Sequence, residues 1–326
     1  MGSSPTSRVN LDPQFDSALR LQEPKDRGLR ERVAYVTESP KTLTTQEYWE
    51  SIWRRRRLRR LSRWQRDPAV RTLISLFDSV LKQMGRTGRI RLLEVGCADS
   101  YWLPYFAKRY AAQVYGLDYS FIGCQQANEQ LARRAVEGSL ICGDFFEFST
   151  PPREHFDVVI SFGFIEHFPD PSVILQRMHG MLRPGGVNVA IVPNFTTIFG
   201  WLQRAINRRV YEGHVIMGPN DLCDYARRAG YSSIQTGYTG GAWYLGVLNF
   251  TPALNATAPS LVALLGYVAR RLGVLVGRIL EAFGINRGGR IAAPFIYVAA
   301  WKKDQAALET GYLRRKEDLA EPTELV

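Results

Sequence analysis

The segment Leu92-Leu93-Glu94-Val95-Gly96-Cys97-Ala98-Asp99-Ser100 is an apolar run that ends in a turn of small residues. Gly, Ala and Ser at such a turn let the backbone approach a ligand at the carboxyl edge of a parallel sheet. The alternative is a tight strand-to-helix turn that serves packing alone. Acidic residues recur downstream, each after an apolar run. Asp118 follows Val114–Leu117, 24 residues after Glu94. Its carboxylate can accept hydrogen bonds from both hydroxyls of a ribose, or cap a helix that begins at Ser120 or Phe121. Asp144, in Gly143-Asp144-Phe145, can accept from the exocyclic amine of an adenine, with Phe145 or Phe146 packed on the base; otherwise it is a turn residue. Glu166-His167 follow the run Val158–Ile160, and His214 lies in Tyr211-Glu212-Gly213-His214. Histidine titrates near neutral pH, so His167 and His214 are the candidates for a base that takes a proton from a hydroxyl acceptor. A buried structural histidine and a surface histidine are the competing readings. Asn194, after Val192-Pro193, lines the same space or forms an Asx turn.

These residues need a scaffold that brings the ends of several strands together. From residue 90 onward short apolar runs alternate with helical stretches, the pattern of a parallel sheet with crossover helices. The runs are Ile90–Val95, Val114–Leu117, Leu140–Ile141, Val158–Ile160 and Val187–Val192, and Ser232–Tyr238 and Phe295–Trp301 complete the sheet. Leu182-Arg183-Pro184-Gly185-Gly186 is a sharp turn into the fifth run. Upstream, Thr44 and Glu47 match a capping box before Tyr48, Trp49, Ile52 and Trp53 at helical spacing. Pro68 opens a second helix with the apolar face Leu73, Leu76, Phe77, Val80 and Leu81, closed by Gly85 and Gly88. The expected organisation is a mobile arm over 1–43, a helical cap over 44–88, an α/β domain over 89–303 and a polar tail over 304–326. An amphipathic helical insertion over 239–293 separates the last two strands. Its helix runs over Pro259–Gly284, with Leu261, Leu264, Leu265, Val268, Leu272, Leu275, Val276, Ile279 and Phe283 at i, i+3, i+4, i+7 and Arg270, Arg271, Arg278 and Glu281 opposite. Charges near its middle argue against a membrane span. The helix either packs on the sheet, roofs a pocket or lies on a membrane surface.

The bulk numbers bound the function. The 326 residues are 45% hydrophobic, enough for a sizeable core. The four cysteines form no CxxC pair and no zinc-type cluster, which fits a reducing compartment. The chain opens without a basic-then-apolar leader, so a cytoplasmic protein is expected. Met1-Gly2-Ser3-Ser4-Pro5-Thr6 matches the bare myristoylation pattern, which a Ser/Pro-rich tail explains equally well. Net charge is +11, and eight arginines fall between Arg54 and Arg66. Such a run binds nucleic acid, anionic lipid or a phosphorylated substrate, or is a solvated helix face. No RNA-binding module or regular aromatic interleaving accompanies it, which makes nucleic acid an unlikely partner.

Taken in order, the motifs resemble the class I SAM-dependent methyltransferases, above all the group related to ubiquinone and menaquinone biosynthesis methyltransferases. The resemblance covers roughly residues 90–238 and the last strand to Trp301. It implies a Rossmann-like seven-stranded, mostly parallel sheet with flanking helices and S-adenosylmethionine (SAM) as cofactor. It places the methionine end at Glu94, Gly96, Ala98 and Asp99, the ribose at Asp118, the adenine at Asp144 with Phe145, and methyl transfer beside Glu166 and His167. The acceptor it implies is a small or lipid-like molecule, methylated at oxygen; a carbon or nitrogen acceptor would need no dedicated base. Tyr48, Trp49 and Trp53 are expected to fold over the bound cofactor. Two departures matter. The family's Gly-x-Gly-x-Gly is here Gly96-Cys97-Ala98-Asp99-Ser100, which keeps the loop small. Some quinone O-methyltransferases carry a metal-holding Glu three residues before the Glu of the Glu-His pair; Gly163 stands there, and two adjacent ligands make a poor site, so no metal is expected. A nicotinamide dehydrogenase is the first rival, but its fingerprint needs a third small residue where this chain has Tyr101. A non-catalytic SAM-binding scaffold is the second.

Overall fold

A computed structural model describes residues 42–55, 65, 67–85, 88–146, 154–241, 244–249, 259–284, 289–290 and 292–304. Residues 1–41 of the expected arm, most of the arginine run and the tail from residue 305 lie outside the described residues. Along the chain come α1 (Gln46–Arg55), α2 (Pro68–Met84), β1 (Arg91–Val95), α3 (Trp102–Tyr110), β2 (Gln113–Asp118), α4 (Phe121–Ala132) and β3 (Gly138–Cys142). Then follow β4 (Phe156–Phe162), a 3-10 turn (Ile165–His167), α5 (Pro171–Met181), β5 (Leu182–Pro193), α6 (Ile198–Ile206) and α7 (Arg208–Glu212). The chain closes with α8 (Pro219–Arg228), β6 (Ser233–Thr239), a 3-10 turn (Leu245–Val247), α9 (Pro259–Ala282) and β7 (Phe295–Trp301).

The strands form one seven-stranded sheet in the order β3-β2-β1-β4-β5-β7-β6. β1 to β5 run parallel, and β7 is antiparallel to both β5 and β6. Helices cover both faces, so the central strands are apolar on both sides. Leu93, Val95, Tyr115, Val159, Ala190 and Val298 face α5 and α8 through Ile174, Leu175, Met178, Leu222 and Ala226. The alternate residues Leu92, Val114, Val158, Ile160 and Val189 face α2, α3 and α4 through Phe77, Trp102, Phe106, Ala127 and Leu131. This two-sided burial is why the strands read as continuous apolar runs rather than as alternation.

Helix ends follow local chemistry. Asp67 caps α2 by accepting from Ala69 N–H at 3.0 Å, and Pro68 occupies the first helical position, where no N–H is needed. Gly85, at φ 60°, ends the helix in the left-handed region. Two boundaries differ from the sequence reading. The cap of α1 is Thr45, whose Oγ1 accepts from Tyr48 N–H at 3.3 Å, while Thr44 accepts from Trp49 Nε1–H at 3.0 Å. β5 begins at Leu182, the first residue of the expected turn, and so takes that turn into the strand; Phe156 pairs with Leu182, and an irregular register before Val158 accommodates Arg183–Gly186.

The insertion between β6 and β7 turns an unexpected face inward. Gly273 of α9 is buried, and a Cβ added at Gly277 would lie 3.2 Å from Pro68 at the start of α2. The glycine side of α9 thus lies against the domain, and Leu264, Val268, Leu272, Leu275, Ile279 and Phe283 are exposed. No described helix is long and apolar enough to cross a membrane.

Candidate functional site

The parallel strands end at a common edge, and the loops that leave them enclose a cavity of about 270 Å³. At the first loop, Gly96 at φ 74° bends the chain, and the N–H groups of Gly96 and Cys97 donate to Leu117 O at 2.8 and 3.2 Å. Ala98 then enters the left-handed region at φ 27° and donates its N–H to Asp118 Oδ2 at 3.0 Å. Asp118 Oδ1 accepts from Ser120 N–H at 2.8 Å, and Ser120 caps α4 through Gly123 N–H at 3.0 Å. The helix cap is therefore Ser120, and Asp118 joins two loops at the cavity wall. Burial pushes the Asp118 carboxyl up to about 6, against the pull of its backbone donors.

Of the residues singled out by sequence, Gly96, Asp118, Asp144, Phe145, Glu166, His167 and His214 line this cavity. Glu94, Ala98 and Asp99 are buried but do not form its wall. Glu94 turns beneath the loop to accept from Ser100 Oγ–H at 2.5 Å, and Ser100 Oγ in turn accepts from Trp102 and Leu103 N–H at the start of α3. Burial raises the Glu94 carboxyl to about 8. The left-handed step at Ala98 directs its amide to Asp118, which explains why this stretch shapes the loop from behind. Asn194 is also away from the cavity wall. Its amide donates to Ala293 O at 2.9 Å and Arg290 O at 3.2 Å, and its Oδ1 accepts from Thr196 Oγ1–H, pinning the end of the insertion to the end of β5.

At β3, Asp144 Oδ1 accepts from Phe146 N–H at 2.8 Å, an Asx turn that presents Phe145 and Phe146 to the cavity. Arg177 of α5 lies 5.4 Å from the Phe145 ring and donates to Phe146 O at 3.2 Å. The same cavity is lined by Glu166, His167 and His214. His167 Nδ1 lies 2.8 Å from Gly213 O, and His214 Nδ1 lies 2.5 Å from Val210 O. A carbonyl only accepts, so each Nδ1 carries the proton and each Nε2 is an acceptor. The rings are 4.5 Å apart, centroid to centroid. Desolvation lowers His167 to about 3, with His214 adding to it, and lowers His214 to about 4. Burial raises Glu166 to about 8. Its own amide faces the carboxylate, and among the described residues no other group donates to either oxygen.

Helix α1 roofs the cavity with Tyr48, Trp49 and Trp53. Trp49 stands edge-on to His167 at 5.2 Å and stacks with Trp53 at 5.9 Å. The helix is latched by Gln46 Nε2–H to Tyr119 O at 2.8 Å, by Phe121 N–H to Glu50 Oε1 at 2.7 Å and by Gln126 Nε2–H to Trp53 O at 2.9 Å. Leu43, assigned to the mobile arm by sequence, donates its N–H to His167 O at 2.8 Å and so belongs to the roof. Phe195, Val247 and Asn249 also line the cavity and were not singled out. Phe195 sits next to Asn194, and that adjacency was the available signal; Val247 and Asn249 arrive from the insertion, with no local signature.

A family model described as a methyltransferase domain matches residues 46–236. The chain is 26% identical over 200 residues to the ubiquinone biosynthesis O-methyltransferase of Ruegeria pomeroyi, covering 58% of this chain and 78% of that protein. It is 28% identical over 129 residues to the demethylmenaquinone methyltransferase of Geobacillus kaustophilus, covering 39% of this chain and 55% of that one. Among solved structures, Haemonchus contortus phosphoethanolamine N-methyltransferase 2 in complex with S-adenosyl-L-methionine aligns with a TM-score of 0.47 and 17% identity, over 71% of this chain and 53% of that one.

Proposed function

We propose that this chain, which belongs to the methyltransferase domain family, uses SAM, its cofactor, to methylate a hydroxyl of a small, lipid-like acceptor. The observation that carries the reading is one cavity lined both by Asp118 and Asp144 and by Glu166, His167 and His214. The residues fit the cofactor. Asp118 accepts from Ala98 N–H through Oδ2 and from Ser120 N–H through Oδ1, and as a carboxylate it keeps lone-pair capacity for the ribose. Asp144 is on hand for the adenine amine, beside the apolar faces of Phe145 and Phe146. Gly96 lines the cavity, and its lack of a Cβ lets the Phe164 ring pack against the loop, since a Cβ there would come within 2.9 Å of that ring. Glu94, Ala98 and Asp99 hold the loop in shape beneath it.

Bound SAM supplies an already activated methyl group, so the protein's task is alignment and exclusion of water. His167 and His214 have their rings fixed through Nδ1, and Nε2 of one of them takes the acceptor hydroxyl's proton as the oxygen–methyl bond forms and the sulfur–methyl bond breaks; burial holds both histidines well below the near-neutral value expected from sequence, so the proton moves late, once the methylated oxygen is strongly acidic. Trp49 packs edge-on against His167 and, with Trp53, roofs the cavity beside it. Methylation at oxygen is favoured by this pair of acceptors and by the O-methyltransferase similarity.

The lipid-like character of the acceptor is read from α9. Six large apolar side chains from Leu264 to Phe283 are exposed along one line, and Phe283 is 77% exposed. Arg271 and Arg278 are exposed beside them. An apolar stripe with cations at its margin fits an anionic bilayer, which takes the stripe into the acyl boundary and the guanidinium groups at the headgroups. The protein then works peripherally at a membrane surface and draws its acceptor from there. Calorimetry with S-adenosylhomocysteine and with NAD tests the cofactor site: binding of the first and not the second is expected. Binding of NAD alone would overturn the reading.

A further inference from the structure

The turn that carries Asp144 is held by a cation that sequence patterning did not single out. Asp144 Oδ1 accepts from Phe146 N–H at 2.8 Å, and the guanidinium of Arg177 donates to Phe146 O at 3.2 Å. The peptide groups of Phe146 are thus pinned on both sides, one by a carboxylate and one by a guanidinium. We propose that Arg177 is a positioning residue for the adenine of the cofactor: it fixes the turn Asp144-Phe145-Phe146, so that Asp144 selects a base with an exocyclic amine. This inference rests on the adenine reading of Asp144 given above.

Arg177 reaches the turn because of how α5 packs. Ile174, Leu175 and Met178 are buried against the sheet and carry Arg177, half-buried, along the same flank of the helix. Arg177 does not line the cavity, so it works through its neighbours and not by gripping the nucleoside. Its guanidinium carbon lies 5.4 Å from the centre of the Phe145 ring and 5.9 Å from that of Phe146, within cation–π range. Those two rings meet edge to face at 5.2 Å, and they contact Phe164 and Phe168 at 5.5 and 5.4 Å. All four rings line the cavity, and Arg177 backs the first two. Burial lowers the guanidinium, while the charge of Asp144 raises it, so the two side chains attract. That attraction opposes a swing of the carboxylate out of the turn. A carboxylate only accepts, so at this point it pairs with the amine of adenine and repels the carbonyl oxygen of a 6-oxo base.

The experiment is calorimetry of the full-length chain with S-adenosylhomocysteine and with S-inosylhomocysteine, whose base carries a carbonyl oxygen in place of the amine. The wild type is expected to prefer the amino form by about a hundredfold. Arg177→Met keeps an apolar stem against Phe145 without the charge and donors, and it should cut that preference by about tenfold. Arg177→Lys restores a cation and should recover most of it. In an Asp144→Asn background Arg177→Met should change the preference no further, because it acts through that carboxylate. The exposed neighbour Gln176 serves as control: Gln176→Ala leaves the preference unchanged. Circular dichroism and melting temperature confirm that the variants are folded. Equal loss of affinity for both nucleosides in Arg177→Met, with their ratio kept, is what a merely structural residue gives and overturns the inference. An undiminished preference, or additive losses in the double variant, overturns it too. If the wild type binds both nucleosides equally, Asp144 does not read the amine and this inference falls alone. If it binds neither, the methyltransferase reading of the cavity falls as well.

Discussion

The backbone N–H of Ala98 donates to Oδ2 of Asp118 at 3.0 Å, joining the loop after β1 to the tip of β2. Asp118 holds that loop and, in the proposed function, grips the ribose, and it does both best as a carboxylate. Burial raises its carboxyl to about 6. Below that pH the group is protonated and has fewer lone pairs to offer. Affinity for S-adenosylhomocysteine is therefore expected to be flat above pH 7 and to fall about tenfold by pH 5. Calorimetry across that range, with Asp118→Asn as the pH-independent reference, checks the sign.

Glu94 makes a stability prediction of the opposite kind to most carboxylates. Its folded-state value, about 8, lies above its ordinary value of 4.5, so the native state holds the proton more tightly than the unfolded chain. Its contribution is fully present below about pH 4.5 and is lost as pH rises towards 8. Glu94→Gln is neutral at every pH and can still accept from Ser100. The melting temperature of the variant relative to wild type should rise by about 3 °C or more between pH 5 and pH 8. A difference independent of pH would show that Glu94 is ionised in the fold.

Trp49 couples the roof to the site through His167 and Trp53. Bound nucleoside should hold α1 down and slow tryptic cleavage at the exposed Arg54. In Trp49→Ala that protection should disappear while nucleoside still binds. Equal cleavage of wild type with and without S-adenosylhomocysteine would contradict a closing roof.

The α9 stripe predicts sedimentation with vesicles of phosphatidylglycerol and phosphatidylcholine, and weaker sedimentation with phosphatidylcholine alone. Each leucine moved into the acyl boundary contributes about 1.5–3 kcal/mol. Replacing Leu272 and Leu275 together by Ser should therefore lower the vesicle partition coefficient by about a hundredfold or more. Retained binding in that variant would place the contact elsewhere.

Much of the fold was legible because two-sided burial leaves a plain mark. Leu92-Leu93 and Val158-Val159-Ile160 are apolar on successive residues, which a strand in a doubly covered sheet requires. Asp118, Asp144 and Glu166-His167 could be found because each follows such a run. Less legible was what depends on a single backbone torsion or on distant packing. The left-handed step at Ala98 turns its amide to Asp118, and the bond from Ser100 holds Glu94 beneath the loop, so that Glu94, Ala98 and Asp99 lie behind the wall. Periodicity revealed that α9 has an apolar side but not which way it faces. Gly273 and Gly277, on the opposite side, were the clue, since small residues allow close helix contact. The meeting of His214 with His167 has no local signature, because it arises from the path of the chain after β5.

The most direct test is equilibrium binding of S-adenosylhomocysteine to the purified chain and to Asp118→Ala at pH 7.5. Saturable binding at one site per chain, weakened by about a hundredfold in the variant, is the predicted result, as expected when two charge-assisted hydrogen bonds are lost. Absence of binding by the wild type, or equal binding by both proteins, would contradict it.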